Sequence, residues 1–140
     1  PRKAADQDFL LSSELNALHE SLAARDPRLL FALPINAKEY CNLECSCALS
    51  ERLLSLFQAA SELLLDQSLV TDAAVALNRL GELWETHASR FLRNGSGSAD
   101  FSQAVSTYRQ LVALVADSEL KDPLLSEVLN NLGLALKRNR

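Results

Sequence analysis

Three cysteines lie close together at positions 41, 45 and 47, and cysteine thiolates are strong zinc ligands. Cys41 and Cys45 are four residues apart and would share one face of a helix, whereas Cys47 would point in another direction. A structural zinc site normally takes four ligands, and the neighbouring sequence offers no fourth. We therefore expect the three cysteines to be buried as small apolar side chains, and we predict no metal site and no cofactor.

The two histidines, His19 and His87, are the next candidates, because histidine acts both as a general base and as a metal ligand. His19 is followed by Glu20, as in the zinc-protease motif His-Glu-x-x-His, but Ala23 stands where the second histidine is needed. We expect His87, on the third long helix, to be a solvated residue or an edge residue. The glycines of "NGSGS" at 94–98 lack the Gly-Lys-Ser/Thr that completes a phosphate-binding loop. No catalytic arrangement is evident, and we predict that the protein is not an enzyme.

The composition is that of one helical domain. Of the 140 residues 48% are hydrophobic, mostly Leu and Ala, and glycine and proline number only four each. The net charge of −4 and the scattered basic residues provide no surface for a phosphate backbone, so we expect no nucleic acid partner. Charged residues interrupt every apolar segment before the roughly 18 residues needed to cross a bilayer, and the N-terminal residues do not have the layout of a signal peptide.

From these features we predict an intracellular protein, of the cytoplasm or the nucleus, that does not insert into membranes. The chain begins at Pro1 and contains no Met, so we expect it to be one all-helical domain, residues 1–140, of a longer protein.

A period of 3.6 residues predicts an all-α antiparallel bundle of five helices. They begin near residues 8, 36, 71, 100 and 122, with N-terminal helices over 8–65 and a C-terminal region over 70–138. A Gly/Ser-rich segment at 93–100 predicts a flexible loop. The second helix carries a heptad-like stripe: Leu49, Leu53, Leu56, Ala60 and Leu63, widened by Phe57 and Leu64. The predicted core face of the last helix is Leu125, Val128, Leu129, Leu132 and Leu136.

The C-terminal region contains a copied octet, "LNRLGELW" at 77–84 and "LNNLGLAL" at 129–136, which lie 52 residues apart. Its glycines, Gly81 and Gly133, fall inside predicted helices, where Gly costs about 1 kcal/mol relative to Ala. We expect each glycine to permit the close approach of another helix.

These residues resemble the tetratricopeptide repeat over about 73–136. The first helix of that repeat is matched by Leu77, Leu80, Gly81 and Trp84, the second by Ala104 and Tyr108, and the closing proline by Pro123. Leu129, Leu132, Gly133 and Leu136 would begin the next unit. The unit is longer here than the usual length of about 34 residues, with the extra residues in the first helix and the connections.

The resemblance implies stacked helical hairpins whose first helices line a groove for a partner peptide or amphipathic helix. Polar residues beside the two Leu-Gly pairs would face that groove: Asn78, Glu82, Glu85, Asn130, Asn131 and Lys137. The predicted function is therefore a non-enzymatic adaptor or scaffold domain that binds another protein.

Two other interpretations remain open at the level of sequence. The Leu49–Leu64 stripe would also suit an interface that assembles a homo- or hetero-oligomer. The segment "DFSQAVSTYRQLV" at 100–112 is similar to the second helix of the three-helix module found in microtubule-interacting and trafficking domains.

Overall fold

The computed structural model describes residues 4–32, 46–93, 95, 97, 99–116 and 122–138, with side chains from Ser12 in the first helix and from Ser126 in the last. It is all-α, which confirms the predicted fold class. The described helices are α1 (Ala4–Ala23), α2 (Leu29–Ala32), α3 (Cys47–Asp66), α4 (Val70–Phe91), α5 (Ser102–Ala116) and α6 (Asp122–Arg138). Within these ranges, none of the helices is both long and apolar enough to cross a membrane.

The helix that carries the leucine stripe begins at Cys47, later than predicted. Ser46 has extended backbone angles, and its Oγ accepts a hydrogen bond from the Leu49 amide at 3.2 Å, so Ser46 caps α3. The predicted cap at Asn36 lies outside the described residues, as do Cys41 and Cys45.

Side-chain contacts give the directions of the first helices. Arg52 Nη2 donates to Asn16 Oδ1 at 2.7 Å, and Gln67 Nε2 donates to the Arg25 carbonyl at 2.8 Å. Residue numbers rise together along α1 and α3, so these two helices run parallel. A tight turn that includes Ser68, at φ of 60°, then reverses the chain into α4.

Helices α4 and α5 form an antiparallel hairpin. The Gly/Ser-rich connection predicted as a loop is closed at its base, where Asp100 N donates to Leu92 O at 3.0 Å and residues 93 and 99 form an antiparallel bridge. Arg93 also donates to the Gly97 carbonyl at 2.6 Å. The next helix, α6, packs on α5 and runs parallel to α4, since its contacts with α4 include the pairs 78–131 and 85–138.

The stripe of α3 lies in the core, where α3 packs between α1 and α4. Leu53, Phe57 and Ala60 are inaccessible to solvent, and Leu56 and Leu63 are nearly so. Burial within one chain corrects the interpretation of this stripe as an assembly interface, because its side chains are already covered by neighbouring helices.

The core face of α6 also differs from the prediction. Val128 and Ala135 are fully buried, whereas Leu129 and Leu136, predicted as core residues, are exposed. Leu132 is only partly buried against the core. The helix is therefore rotated from the predicted orientation, with its small Ala135 buried and three leucines of the copied octet exposed: Leu129, Leu134 and Leu136.

Candidate functional site

The first Leu-Gly copy is a helix contact. The Tyr108 ring of α5, which is fully buried, lies against the α4 backbone at Gly81. A Cβ at position 81 would be only 2.6 Å from Tyr108 Cζ and 2.8 Å from Cδ1, too close for any side chain. The expectation that Gly81 permits the close approach of a helix is confirmed.

The second copy has no such contact. Gly133 is exposed, and none of the described residues has an atom within 4 Å of the Cβ that a side chain would add there. The expectation of a close helix contact at Gly133 is therefore wrong for the described residues. Leu129 and Leu136, one turn on either side of this glycine, are 48% and 39% exposed.

We refer to Leu129, Gly133 and Leu136 as the α6 face. An α-helix turns by about 100° per residue, so positions i, i+4 and i+7 lie on one side. The α6 face corresponds in the octet to Leu77, Gly81 and Trp84. That side of α4 is covered by α5, with Leu77 fully buried.

The two copies are also equivalent in their inward contacts. Leu83 of α4 and Ala135 of α6 occupy the same octet position, and both are inaccessible to solvent. Each of these two helices packs on the helix that precedes it in the chain: α4 on α3, and α6 on α5. The difference between the copies is on the other side, where α4 has α5 and the α6 face is open to solvent.

Three of the six predicted partner-binding residues join α4 to α6. Asn131 Nδ2 donates to Asn78 Oδ1 at 3.0 Å, and Asn78 Nδ2 donates to Glu127 Oε1 at 3.4 Å. Arg138 Nη1 forms an ion pair with Glu85 at 2.6 Å. Asn78 is buried by these contacts. These side chains are engaged within the chain instead of lining an open groove.

The other predicted residues are differently placed. Asn130 and Lys137 are exposed on α6, whereas Glu82 is half-buried on α4. Burial raises the pKa of Glu82, and the charges of Glu127 and Glu85 raise it further. Some of the six residues therefore form contacts between helices, and others are exposed to solvent. Together they do not form one continuous open surface.

Glu85 connects these polar residues to the aromatic contact at Gly81. Burial raises the pKa of Glu85, while the Tyr108 hydroxyl and Arg138 act against that rise. Burial and the charge of Glu85 in turn raise the pKa of Tyr108. The Tyr108 hydroxyl lies beside the Glu85 carboxylate and forms no hydrogen bond of good geometry with the described groups.

A second feature is a cavity beside Trp84 of α4. This cavity of about 460 Å³ lies between α3 and α5, and its polar lining includes Glu51, Gln58, Gln103 and Gln110. Trp84 of the first octet contributes an aromatic wall. The lining residues come from separate segments of the chain and show no motif, so the cavity is not visible in the sequence.

His87 adjoins Trp84 and is not the solvated residue that the sequence predicted. It is 2% exposed, its Nδ1 shares a 2.6 Å hydrogen bond with the buried Ser50 hydroxyl, and its ring packs edge-on against Trp84. Burial lowers the pKa of His87. Cys47, only partly buried, donates a long hydrogen bond of 3.5 Å to Glu51, one turn further along α3.

Comparisons with known proteins do not place the chain in a family. It matches no protein-family model, no curated protein and no solved structure at a significant level of similarity.

Proposed function

We propose that this chain is a non-enzymatic protein-interaction module that binds an amphipathic helix of a partner protein on the α6 face. The observation that carries the proposal is the contrast between the two octets. Gly81 is covered by the Tyr108 ring, whereas Gly133 is open between two exposed leucines.

The occupant is inferred from the first copy, where α5 shows what this motif accepts. That helix places alanine and a tyrosine four residues later against α4, with Leu111 buried beyond them. A partner helix that runs antiparallel to α6 and places an aromatic ring over Gly133 would cover Leu129 and Leu136 in the same way. Covering exposed leucines contributes about 25 cal/mol per Å² of apolar surface removed from water.

The arrangement of α4, α5 and α6 supports the resemblance to a tetratricopeptide repeat as a proposal about architecture. In that interpretation α4 and α5 form one hairpin, and α6 is the first helix of the next. The binding surface differs from the groove predicted from sequence, because Asn78, Glu85 and Asn131 are used between α4 and α6. The proposed site is the α6 face on the other side of that helix.

A peptide with the sequence of residues 102–116, which is α5, is a suitable probe for this surface. Labelled peptide is titrated with the chain, and its fluorescence anisotropy is recorded. We expect saturable 1:1 binding that Leu129→Glu weakens at least about tenfold, because a charge would be buried in an apolar contact. A peptide carrying Tyr108→Ala should also bind more weakly, since it lacks the ring that covers the glycine.

The matched control is Ala59→Glu, which adds the same charge at an exposed position of α3. Circular dichroism verifies that both variants fold. Equal binding by the Leu129→Glu and Ala59→Glu variants would show that the peptide does not use the α6 face. Sedimentation tests self-association: a dimer that dissociates on Leu129→Glu would instead assign this face to a second copy of the chain.

A further inference from the structure

The side chains of Cys47, Glu51 and His87 converge at the point where α3 and α4 cross. One sulfur, one carboxylate oxygen and one imidazole nitrogen lie within 4.8 Å of one another. These are the three ligand types that bind zinc in proteins. The convergence was not visible in the sequence, because Cys47 and Glu51 are one turn apart on α3 while His87 is 36 residues further along.

We propose that Cys47, Glu51 and His87 form a binding site for a divalent cation of the zinc class. Metal–ligand distances of about 2.0 Å for nitrogen and oxygen and about 2.3 Å for sulfur place tetrahedral ligands roughly 3.5 Å apart. The Cys47 Sγ to Glu51 Oε1 distance is already 3.5 Å. The imidazole nitrogen lies at most 4.8 Å from the other two ligand atoms and needs to approach them by no more than about 1.5 Å.

The surroundings of His87 support its role as a ligand. The ring is buried, and it is held on three sides by the Ser50 hydroxyl, by Trp84 and by Phe91, whose ring centroid is 5.1 Å away. When Nδ1 donates its proton to Ser50 Oγ, the lone pair of Nε2 remains available, and Nε2 forms no hydrogen bond to the described residues. Partners that hold the second nitrogen of a histidine are common around protein-bound metals.

The fourth coordination position would face outward. Glu51 is exposed and also lines the 460 Å³ cavity, and Trp84 joins the cavity to His87. A cation held by three protein side chains would complete its shell with a water molecule or with a small anionic or imidazole-type group from the cavity side. Glu51 is thus common to the cavity lining and to the three ligands.

Metal binding is tested with Co²⁺ and Zn²⁺ on a chain carrying Cys41→Ser and Cys45→Ser, in which Cys47 is the only thiol. We expect one Co²⁺ per chain, with the ligand-to-metal absorption of a cobalt–thiolate bond, and displacement of the cobalt by Zn²⁺. Saturating Zn²⁺ should also raise the Tm by several degrees, because a ligand that binds only the folded state stabilises it.

Two further variants test the ligands individually. Cys47→Ser should abolish the cobalt–thiolate absorption, and Glu51→Gln, at an exposed position that does not endanger folding, should weaken Zn²⁺ binding 10- to 100-fold. Glu62→Gln on the same helix is the matched control and should bind like the parent chain. Absence of a 1:1 complex in the parent chain, or binding that is equal in the Glu51→Gln and Glu62→Gln variants, would overturn the proposal.

Discussion

The ring of Tyr108 lies directly on the backbone of Gly81, in the space that a side chain at position 81 would need. This contact determines how closely α5 approaches α4, and it explains why an otherwise unfavourable glycine is present inside a helix of 22 residues. The same residue type at position 133 has no described neighbour, so the two glycines provide a matched comparison within one protein.

The first prediction is that alanine has opposite effects at the two glycines. Gly81→Ala should lower the free energy of unfolding by about 1–3 kcal/mol, because the new methyl group overpacks against a buried ring that has no room to move. Gly133→Ala should raise it by up to about 1 kcal/mol through helix propensity. Urea unfolding followed by circular dichroism measures both, and a stabilising Gly81→Ala would contradict the described contact.

The second prediction concerns the asparagine pair between α4 and α6. Asn78→Ala and Asn131→Ala should each destabilise the chain by about 0.5–1.5 kcal/mol, since both remove the 3.0 Å hydrogen bond. The double variant should cost less than the sum of the two single changes. Strictly additive losses in this double-mutant cycle would show that the two side chains do not interact.

That cycle also affects the choice of variants for binding studies. A change at Asn78 or Asn131 that weakens partner binding is not evidence of a direct contact, because it also disturbs the packing of α6 on α4. Variants on the α6 face, such as Leu129→Glu, alter an exposed side chain and leave this hydrogen bond in place.

The third prediction is that the carboxylate of Glu82 destabilises the fold at neutral pH. Its pKa is raised in the folded state by burial and by Glu127 and Glu85, so the folded chain binds a proton more readily than the unfolded chain. Stability from this group is present below the unfolded pKa and is lost as the pH rises through the folded pKa. Glu82→Gln should therefore stabilise the chain at pH 7, by less than about 1 kcal/mol, given that the group is partly solvated.

The pH dependence distinguishes this effect from a general benefit of glutamine. The gain from Glu82→Gln should disappear below the ordinary glutamate pKa of 4.5, where the wild-type side chain is itself neutral. Glu62→Gln, the same change at an exposed position of α3, is the matched control. A gain that stays constant between pH 4 and pH 7 would contradict a charge-based origin.

The fold class and the helices of this chain were predictable from sequence because they depend on local composition and periodicity. The buried position of His87 was not predictable from sequence. It depends on Ser50, which is 37 residues away, and on the angle at which α3 and α4 pack. Likewise, the periodic pattern of apolar residues does not reveal that α3 begins at Cys47. That start depends on the hydrogen bond by which Ser46 caps the helix.

The rotation of α6 illustrates the same limit. Leu129 and Val128 are adjacent and both apolar, so the periodic pattern accommodates either as the centre of the buried face. In the orientation that buries Val128 and Ala135, Asn131 donates to Asn78 and Arg138 forms an ion pair with Glu85. These polar contacts join residues that are far apart in sequence, so the spacing of apolar residues along α6 does not predict them.

The last prediction compares one chemical change at two leucines, Leu53 of the α3 stripe and Leu129 of the α6 face, both expected from sequence to be core residues. Leu53 is inaccessible to solvent, so Leu53→Ala removes buried methyl groups and leaves a cavity, at a cost of about 2–5 kcal/mol. Leu129 is about half exposed, and Leu129→Ala should change stability by less than about 0.5 kcal/mol.

Urea unfolding of the isolated chain, at several protein concentrations, measures both effects. If Leu129→Ala costs as much as Leu53→Ala at every concentration, then Leu129 is covered within the chain itself, and the α6 face is not open for binding. If its cost grows with protein concentration, the face is covered by a second copy, since the stability of a dimer depends on concentration and that of a monomer does not. Only a small and concentration-independent cost leaves this face available to a partner helix, and that is the result we expect.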